Sequence, residues 1–265
     1  MDATTDDGIS LHYELADGPQ EATPVVFLNG MTQSTQHWNS QVGRFESERP
    51  VLTYDARGQG RSELGERTPT LDRHVADLAA ILREADLPEV HLAGFSHGSR
   101  IALAFAAEHP DRVGRLVCCS ATAEPTALAR TIVTSWQKTL EAGGLEAMTW
   151  SALPAILGSD YLEEHEAILE GIVRASLRRN SEEGVRALLE AMADYPPLDE
   201  LAGRITVPTL VLSADEDLLV DEVGAERLAE IAGGRHREIK GCGHTIPIEK
   251  PAQFHRRVAE FLSNG

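Results

Sequence analysis

The strongest constraint on the fold is a rhythm. Short apolar runs of strand length alternate with longer stretches whose apolar residues recur at helical spacing. TPVVFLNG (23–30), PVLTYD (50–55), EVHLAGF (89–95), RVGRLVCCSA (112–121), PTLVLSA (208–214) and HREIK (236–240) read as strands. Several are apolar at every central position, the mark of a strand buried on both faces. ISLHYEL (9–15) alternates apolar and polar residues, as a half-exposed strand does. Between strands, TLDRHVADLAAILREADL (70–87) places Val75, Leu78, Ile81 and Leu82 on one helical face, with Thr70 as its N-cap. Such alternation predicts a mostly parallel sheet covered by helices on both sides, with the first strands antiparallel.

The rhythm breaks once. From about 122 to 203 the pattern is helical without a convincing strand, and Pro154, Gly158, Pro196 and Pro197 divide the pieces. The expected organisation is a core of residues 1–121 and 204–265, with residues 122–203 as a helical lid inserted after the sixth of eight strands.

Charge and cysteine usage narrow the function classes. A formal net charge of −18 argues against a nucleic-acid partner, because phosphate would be repelled. The surplus of carboxylates reads as solubility. No apolar stretch approaches the roughly 20 residues of a membrane helix, so no membrane partner is expected. The acidic start MDATTDDGISLHYEL lacks the basic and apolar regions of a secretion signal. Cys118 and Cys119 are neighbours and Cys242 makes an odd number, so a reduced, cytoplasmic protein is expected. No zinc spacing and no nucleotide motif occurs; no metal or other cofactor is expected.

One short segment carries chemistry. In GFSHG, Ser96 stands between Gly94 and Gly98 where a strand gives way to a helix. Glycines on both sides relieve crowding at a tight turn and let neighbouring chain pass close. The helix that follows aims its N-terminus at the turn, which favours developing negative charge. Serine needs a base to become a nucleophile. Of ten histidines, His244 in GCGHTIPIEKP lies in a glycine-rich loop between a strand and the last helix. His97 reads as a packing or pocket residue; His12, His91 and His255 as structural; His74, His109, His165 and His236 as exposed. The base in turn needs an acid. LVLSADEDLLV offers Asp215, Glu216 and Asp217 just beyond a strand, on the side where strand ends converge.

With these segments in view, nearly the whole chain resembles the α/β-hydrolase superfamily. The order Ser96, Asp217, His244 is similar to the family's order of nucleophile, acid and histidine. The resemblance favours Asp217 over Asp215, because relatives often carry Gly-x-x-Asp here and Ala214 takes the glycine's place. DARGQGRS (55–62) is similar to the family segment D-x-R-G-x-G-x-S, which we read as structural, with Asp55 and Arg57 fixing loops. By resemblance, the backbone N–H groups of Met31 and His97 form the oxyanion hole. Many relatives carry His-Gly where this chain has Asn29-Gly30; the asparagine is similar to that of enol-lactone hydrolases, and both residues are expected to bind substrate. GFSHGSRIAL also resembles acyl-transfer and lyase relatives of menaquinone biosynthesis. Serine at 96 argues against dehalogenases and epoxide hydrolases, which attack with a carboxylate.

Within the helical block, Trp136, Met148 and Trp150, with Leu153, Ile156 and Leu157, are candidates for an apolar substrate pocket. Arg174, Arg178 and Arg179 read as helical surface charge, with a substrate carboxylate as the alternative. The resemblance implies a serine hydrolase that cleaves a small ester or lactone through an acyl-enzyme, as a monomer or homodimer. A thioesterase, a carbon–carbon bond hydrolase or lyase, or a non-catalytic binder of small molecules are the alternatives.

Overall fold

Four consecutive buried residues in a strand require cover on both sides, and the sheet is built around such strands. The computed structural model describes residues 1–263. Its strands are β1 (Asp2–Thr4), β2 (Ser10–Ala16), β3 (Val25–Leu28), β4 (Val51–Tyr54), β5 (Val90–Phe95), β6 (Val113–Cys119), β7 (Thr209–Ala214) and β8 (Arg235–Ile239). They form one eight-stranded sheet in the order β1-β2-β4-β3-β5-β6-β7-β8. The β1–β2 and β2–β4 pairs are antiparallel and every other pair is parallel. β1 is a three-residue strand that apolar patterning does not reveal.

Helices cover both faces. They are α1 (Asn39–Phe45), α2 (Leu71–Glu84), α3 (His97–Glu108), α4 (Ala127–Ile156), α5 (Ser159–His165), α6 (Leu169–Arg179), α7 (Glu182–Met192), α8 (Leu198–Ala202), α9 (Glu222–Ile231), α10 (Ile246–Glu249) and α11 (Pro251–Ser263). Val26 and Leu28 of β3 pack with α2, α3, α8 and α9. Val25 and Phe27, on the other side of the pleat, pack with α1 and α11. Phe27 stacks on Trp38 at 4.7 Å between ring centres, and Phe254 of α11 closes the group. Each such buried side chain contributes roughly 1.5–3 kcal/mol. Cys118 and Cys119 fall on opposite faces and pack as small apolar groups; burial pushes the Cys118 thiol up to about 12.

Every element between β6 and β7 is helical. Pro154 lies in the last turn of α4, which ends at Ile156, and Gly158 is the N-cap of α5. Within α4 the chain also bends at Gly144, whose φ of 73° suits glycine. The second half then starts with unpaired amides, and Glu182 of α7 accepts the Leu145 N–H at 3.2 Å.

The loop-fixing residues of DARGQGRS are buried. Arg57 bonds Asp77 at 2.7 and 2.8 Å and Asp7 at 3.0 Å, tying the N-terminal segment to α2. Asp55 accepts the backbone N–H groups of Thr35 and Arg61 at 2.7 and 2.8 Å.

His74, expected at the surface, is only 1% exposed. It sits on the α2 face that meets α3, edge-on to His97 at 4.9 Å, and neither ring nitrogen finds a partner among the described residues. Burial, with Arg57 nearby, lowers its pKa from 6.5 to about 3. The folded state therefore keeps this ring neutral at pH values where the unfolded chain protonates it. Stability must fall as pH drops below 6.5, down to about 3, at about 1.4 kcal/mol per pH unit for this group. Exchanging His74 for Phe should make the acid limb shallower by up to that slope, measured as urea-unfolding free energy at pH 6.5 and pH 5.

Candidate active site

The turn from β5 into α3 is closed by backbone contact. A Cβ on Gly98 would lie 2.2 Å from the Leu28 carbonyl oxygen, and one on Gly94 would lie 2.4 Å from the Gly98 carbonyl oxygen. Neither glycine has a left-handed φ; both are needed for space. Ser96 between them takes φ 51° and ψ −113°, a strained conformation for a residue with a side chain. Its N–H donates to the Cys119 carbonyl at 2.8 Å, and Ser99 Oγ lies 2.8 Å from the Gly94 carbonyl and 2.9 Å from that of Cys119. These bonds hold the turn open toward the carboxyl ends of the strands.

His244 arrives from the loop after β8. Its Nε2 is 2.9 Å from Ser96 Oγ and its Nδ1 is 2.7 Å from Asp217 Oδ2. A carboxylate accepts only, so Nδ1 carries the proton in this network and Nε2 is left to accept from the serine. The second oxygen of Asp217 accepts the N–H groups of Leu219 and Val220 at 2.8 and 3.1 Å, which fixes the carboxylate plane. The neighbouring acids are used otherwise. Asp215 is exposed, and Glu216 accepts from the Ser159 backbone and hydroxyl at 2.7 and 2.8 Å.

Two residues absent from the sequence reading hold the His244 loop. Ser120 Oγ donates to the His244 carbonyl at 2.7 Å. Glu249 accepts from the backbones of Gly158, Gly243 and Thr245 and from the Thr245 hydroxyl, at 2.7 to 3.1 Å. The spacing Thr245-x-x-x-Glu249 was the available signal, since an acid there can reach back over one turn. The backbone N–H groups of Met31 and His97 enter no loop or cap hydrogen bond among the described residues. The His97 ring turns away, toward His74 and the Tyr195 hydroxyl at 3.3 Å, and burial holds it neutral well below the ordinary histidine range.

Two cavities meet at Ser96. One, of about 160 Å³, lies under the helical insertion and is walled mainly by apolar side chains, Phe95, Met148, Leu153, Ile156 and Leu157 among them. The other, of about 760 Å³, opens past Arg100, Tyr195 and the Pro196–Pro197 turn. Met31, Ser96, Trp136, Leu219 and His244 line both.

A family model described as serine aminopeptidase, S33, matches residues 19–251. The chain belongs to this family of α/β-hydrolases. A solved structure similar to it is the enol-lactonase from Burkholderia xenovorans, with a TM-score of 0.90 and 26% identity over the full length of both chains. Among curated relatives, a putative 2-succinyl-6-hydroxy-2,4-cyclohexadiene-1-carboxylate synthase of Bacillus subtilis is 30% identical over 100% of this chain and 98% of its own. A putative carbamate hydrolase RutD of Variovorax paradoxus is 28% identical over 96% of each. No helix among the described residues is long and apolar enough to cross a membrane.

Against this α/β-hydrolase frame, three of the expected substrate contacts need correction. Asn29 is 1% exposed and faces away from the cavities: its amide donates to the Tyr54 carbonyl at 2.7 Å and accepts from the Trp38 indole at 2.6 Å. Gly30 serves close packing, since a Cβ there would lie 2.6 Å from the Phe95 ring. Trp150 is 40% exposed and lines neither cavity, because two residues along a helix turn it to the side opposite Met148. Trp136 and Met148 do face the apolar cavity. Arg179, read as surface charge, also faces it. Replacing Asn29 by Ala should cost about 1–3 kcal/mol of stability for the stranded Trp38 and Tyr54 groups, read by urea unfolding. The ranking of ester substrates by kcat/KM should stay that of the parent protein.

Proposed function

We propose that the chain is a serine hydrolase that cleaves carboxylic esters or lactones through an acyl-enzyme. One observation carries the reading: a strained serine, a histidine and a buried carboxylate are in hydrogen-bonded series, at 2.9 and 2.7 Å, where two cavities meet. In this mechanism Ser96 Oγ attacks the carbonyl carbon and its proton passes to His244 Nε2. Asp217 keeps the imidazole in the accepting tautomer and stabilises the imidazolium. The tetrahedral oxyanion is held by the N–H groups of Met31 and His97, aided by the N-terminus of α3. His244 then returns the proton to the leaving oxygen as the carbon–oxygen bond breaks. Water, deprotonated by His244, attacks the acyl carbonyl and frees Ser96.

Two arms meeting at one serine suit a substrate cut in its middle, with the acyl part in one arm and the leaving group in the other. That the relatives named above include an enol-lactonase adds weight to the same bond class.

A fluorophosphonate probe should label Ser96 and leave the Ser96→Ala protein unlabelled, as read by mass spectrometry of the digested protein. Against 4-nitrophenyl esters and lactones, Ser96→Ala should lose on the order of 10⁴-fold or more in kcat, and Asp217→Asn about 10⁴-fold. Full turnover by Ser96→Ala would sink the mechanism. Faster turnover of acyl thioesters or β-diketones than of oxygen esters would move the reading to those bonds.

A further inference from the structure

A cation in a mainly apolar wall gains from a hydrogen-bonded counter-charge, and Arg179 has none among the described residues. It is the last residue of α6. Arg174 on the same helix is exposed and pairs with Glu170 at 2.6 Å, and Arg178 is exposed. Arg179 turns inward to the cavity that Ser96 lines. Its Nε is buried without an acceptor, and no carboxylate among the described residues pairs with it. Asp55, the carboxylate that acts on it from nearby, has both oxygens occupied by the Thr35 and Arg61 amides. The one polar neighbour of the guanidinium is His37, with Nη2 to Nε2 at 3.4 Å.

The tautomer of His37 makes this contact informative. His37 Nδ1 lies 3.0 Å from the Ser34 N–H and 3.2 Å from the Ser34 carbonyl. A guanidinium only donates, so in its contact with Arg179 the Nε2 atom accepts, and the ring proton is assigned to Nδ1, facing the Ser34 carbonyl. Burial, with Arg179 beside it, lowers the pKa of this ring to about 4, so it is neutral at pH 7. His37 therefore holds one arm of the guanidinium by accepting from Nη2, while Nε has no acceptor. The remaining donors of a guanidinium fork match the two oxygens of a carboxylate. The anchor is held in place, because the Asn180 amide donates to the Thr32 carbonyl at 3.0 Å and ties the end of α6 to the loop that carries Met31.

We infer that Arg179, positioned by His37, forms an anion subsite, and that the substrate carries a carboxylate seated there while its scissile carbonyl lies on Ser96. This rests on the serine-hydrolase reading for the second half of the statement only. Arg179 is the one Lys, Arg, Asp or Glu among the described residues of this wall, and one guanidinium matches one negative charge, which favours a carboxylate over a phosphate dianion.

The test compares mono-4-nitrophenyl glutarate with 4-nitrophenyl pentanoate, esters of equal acyl length with and without a terminal carboxylate. Spontaneous hydrolysis is subtracted. Arg179→Gln should lower the ratio of kcat/KM for the anionic over the neutral ester by about 10- to 100-fold, the loss of a hydrogen-bonded charge contact. Arg179→Lys should restore part of the ratio, since it keeps the charge and loses the fork. Calorimetry with glutarate on the Ser96→Ala protein reads the subsite without chemistry, and adding Arg179→Gln should weaken binding by a similar factor. A ratio that Arg179→Gln moves by less than about twofold, or glutarate binding that does not depend on Arg179, overturns the proposal. If neither ester turns over but glutarate binding depends on Arg179, the subsite stands and the hydrolase reading falls.

Discussion

The contact on which the rest depends is backbone against backbone, where the start of α3 meets the end of β3. Gly98 lies against the carbonyls of Leu28 and Asn29, closer than any Cβ would allow. That approach fixes three things at once. It forces Ser96 into a left-handed conformation that costs on the order of 1–3 kcal/mol. It brings the loop after β3, with Met31, to the serine. It also points the first amides of α3 at the same spot. The strain persists because buried bonds from Ser96 and Ser99 to strand carbonyls over-determine the turn.

The protein carries a formal net charge of −18, yet its interior acids are not free charges. Asp55 and Glu249 each accept backbone amides and so replace loop structure that a sheet or helix would otherwise provide. Asp217 does the same with one oxygen and reserves the other for His244. Asp7 and Asp77 enclose Arg57, and that guanidinium holds the Asp7 carboxyl well below its usual range. Arg179 is held differently: its side-chain contact is to the neutral His37 ring, with no carboxylate hydrogen-bonded to it among the described residues.

Much of the fold was legible because burial on two faces leaves a plain mark. VVFL in β3 reads as a buried strand and VLTY in β4 as a strand, and both are, while Thr70 caps α2 where its hydroxyl accepts the Arg73 amide. Ser96 and His244 stood out because glycine-rich turns flank them. Other residues misled for physical reasons. Gly144 lies within a run that reads as helical, yet its φ of 73° kinks α4 there. His74 sits in a helix rich in charge, yet its face is the one that α3 covers. Asn29 neighbours the catalytic loop in sequence, but the strand pleat and the loop direct its amide to Trp38 and Tyr54.

Sequence alone determined the layered α/β architecture and the strand–turn–helix around Ser96. Those features are local: periodicity and glycine spacing encode them within a few residues, whereas the order of serine, acid and histidine comes from the family resemblance. The family resemblance favours Asp217 over Asp215, and Asp217 is the acid at hydrogen-bond distance from His244. Tertiary structure alone decided which arginine of a cluster faces inward, Arg179 rather than Arg178. One step along a helix turns a side chain by about 100°, and only the packing of distant elements sets which direction meets the site.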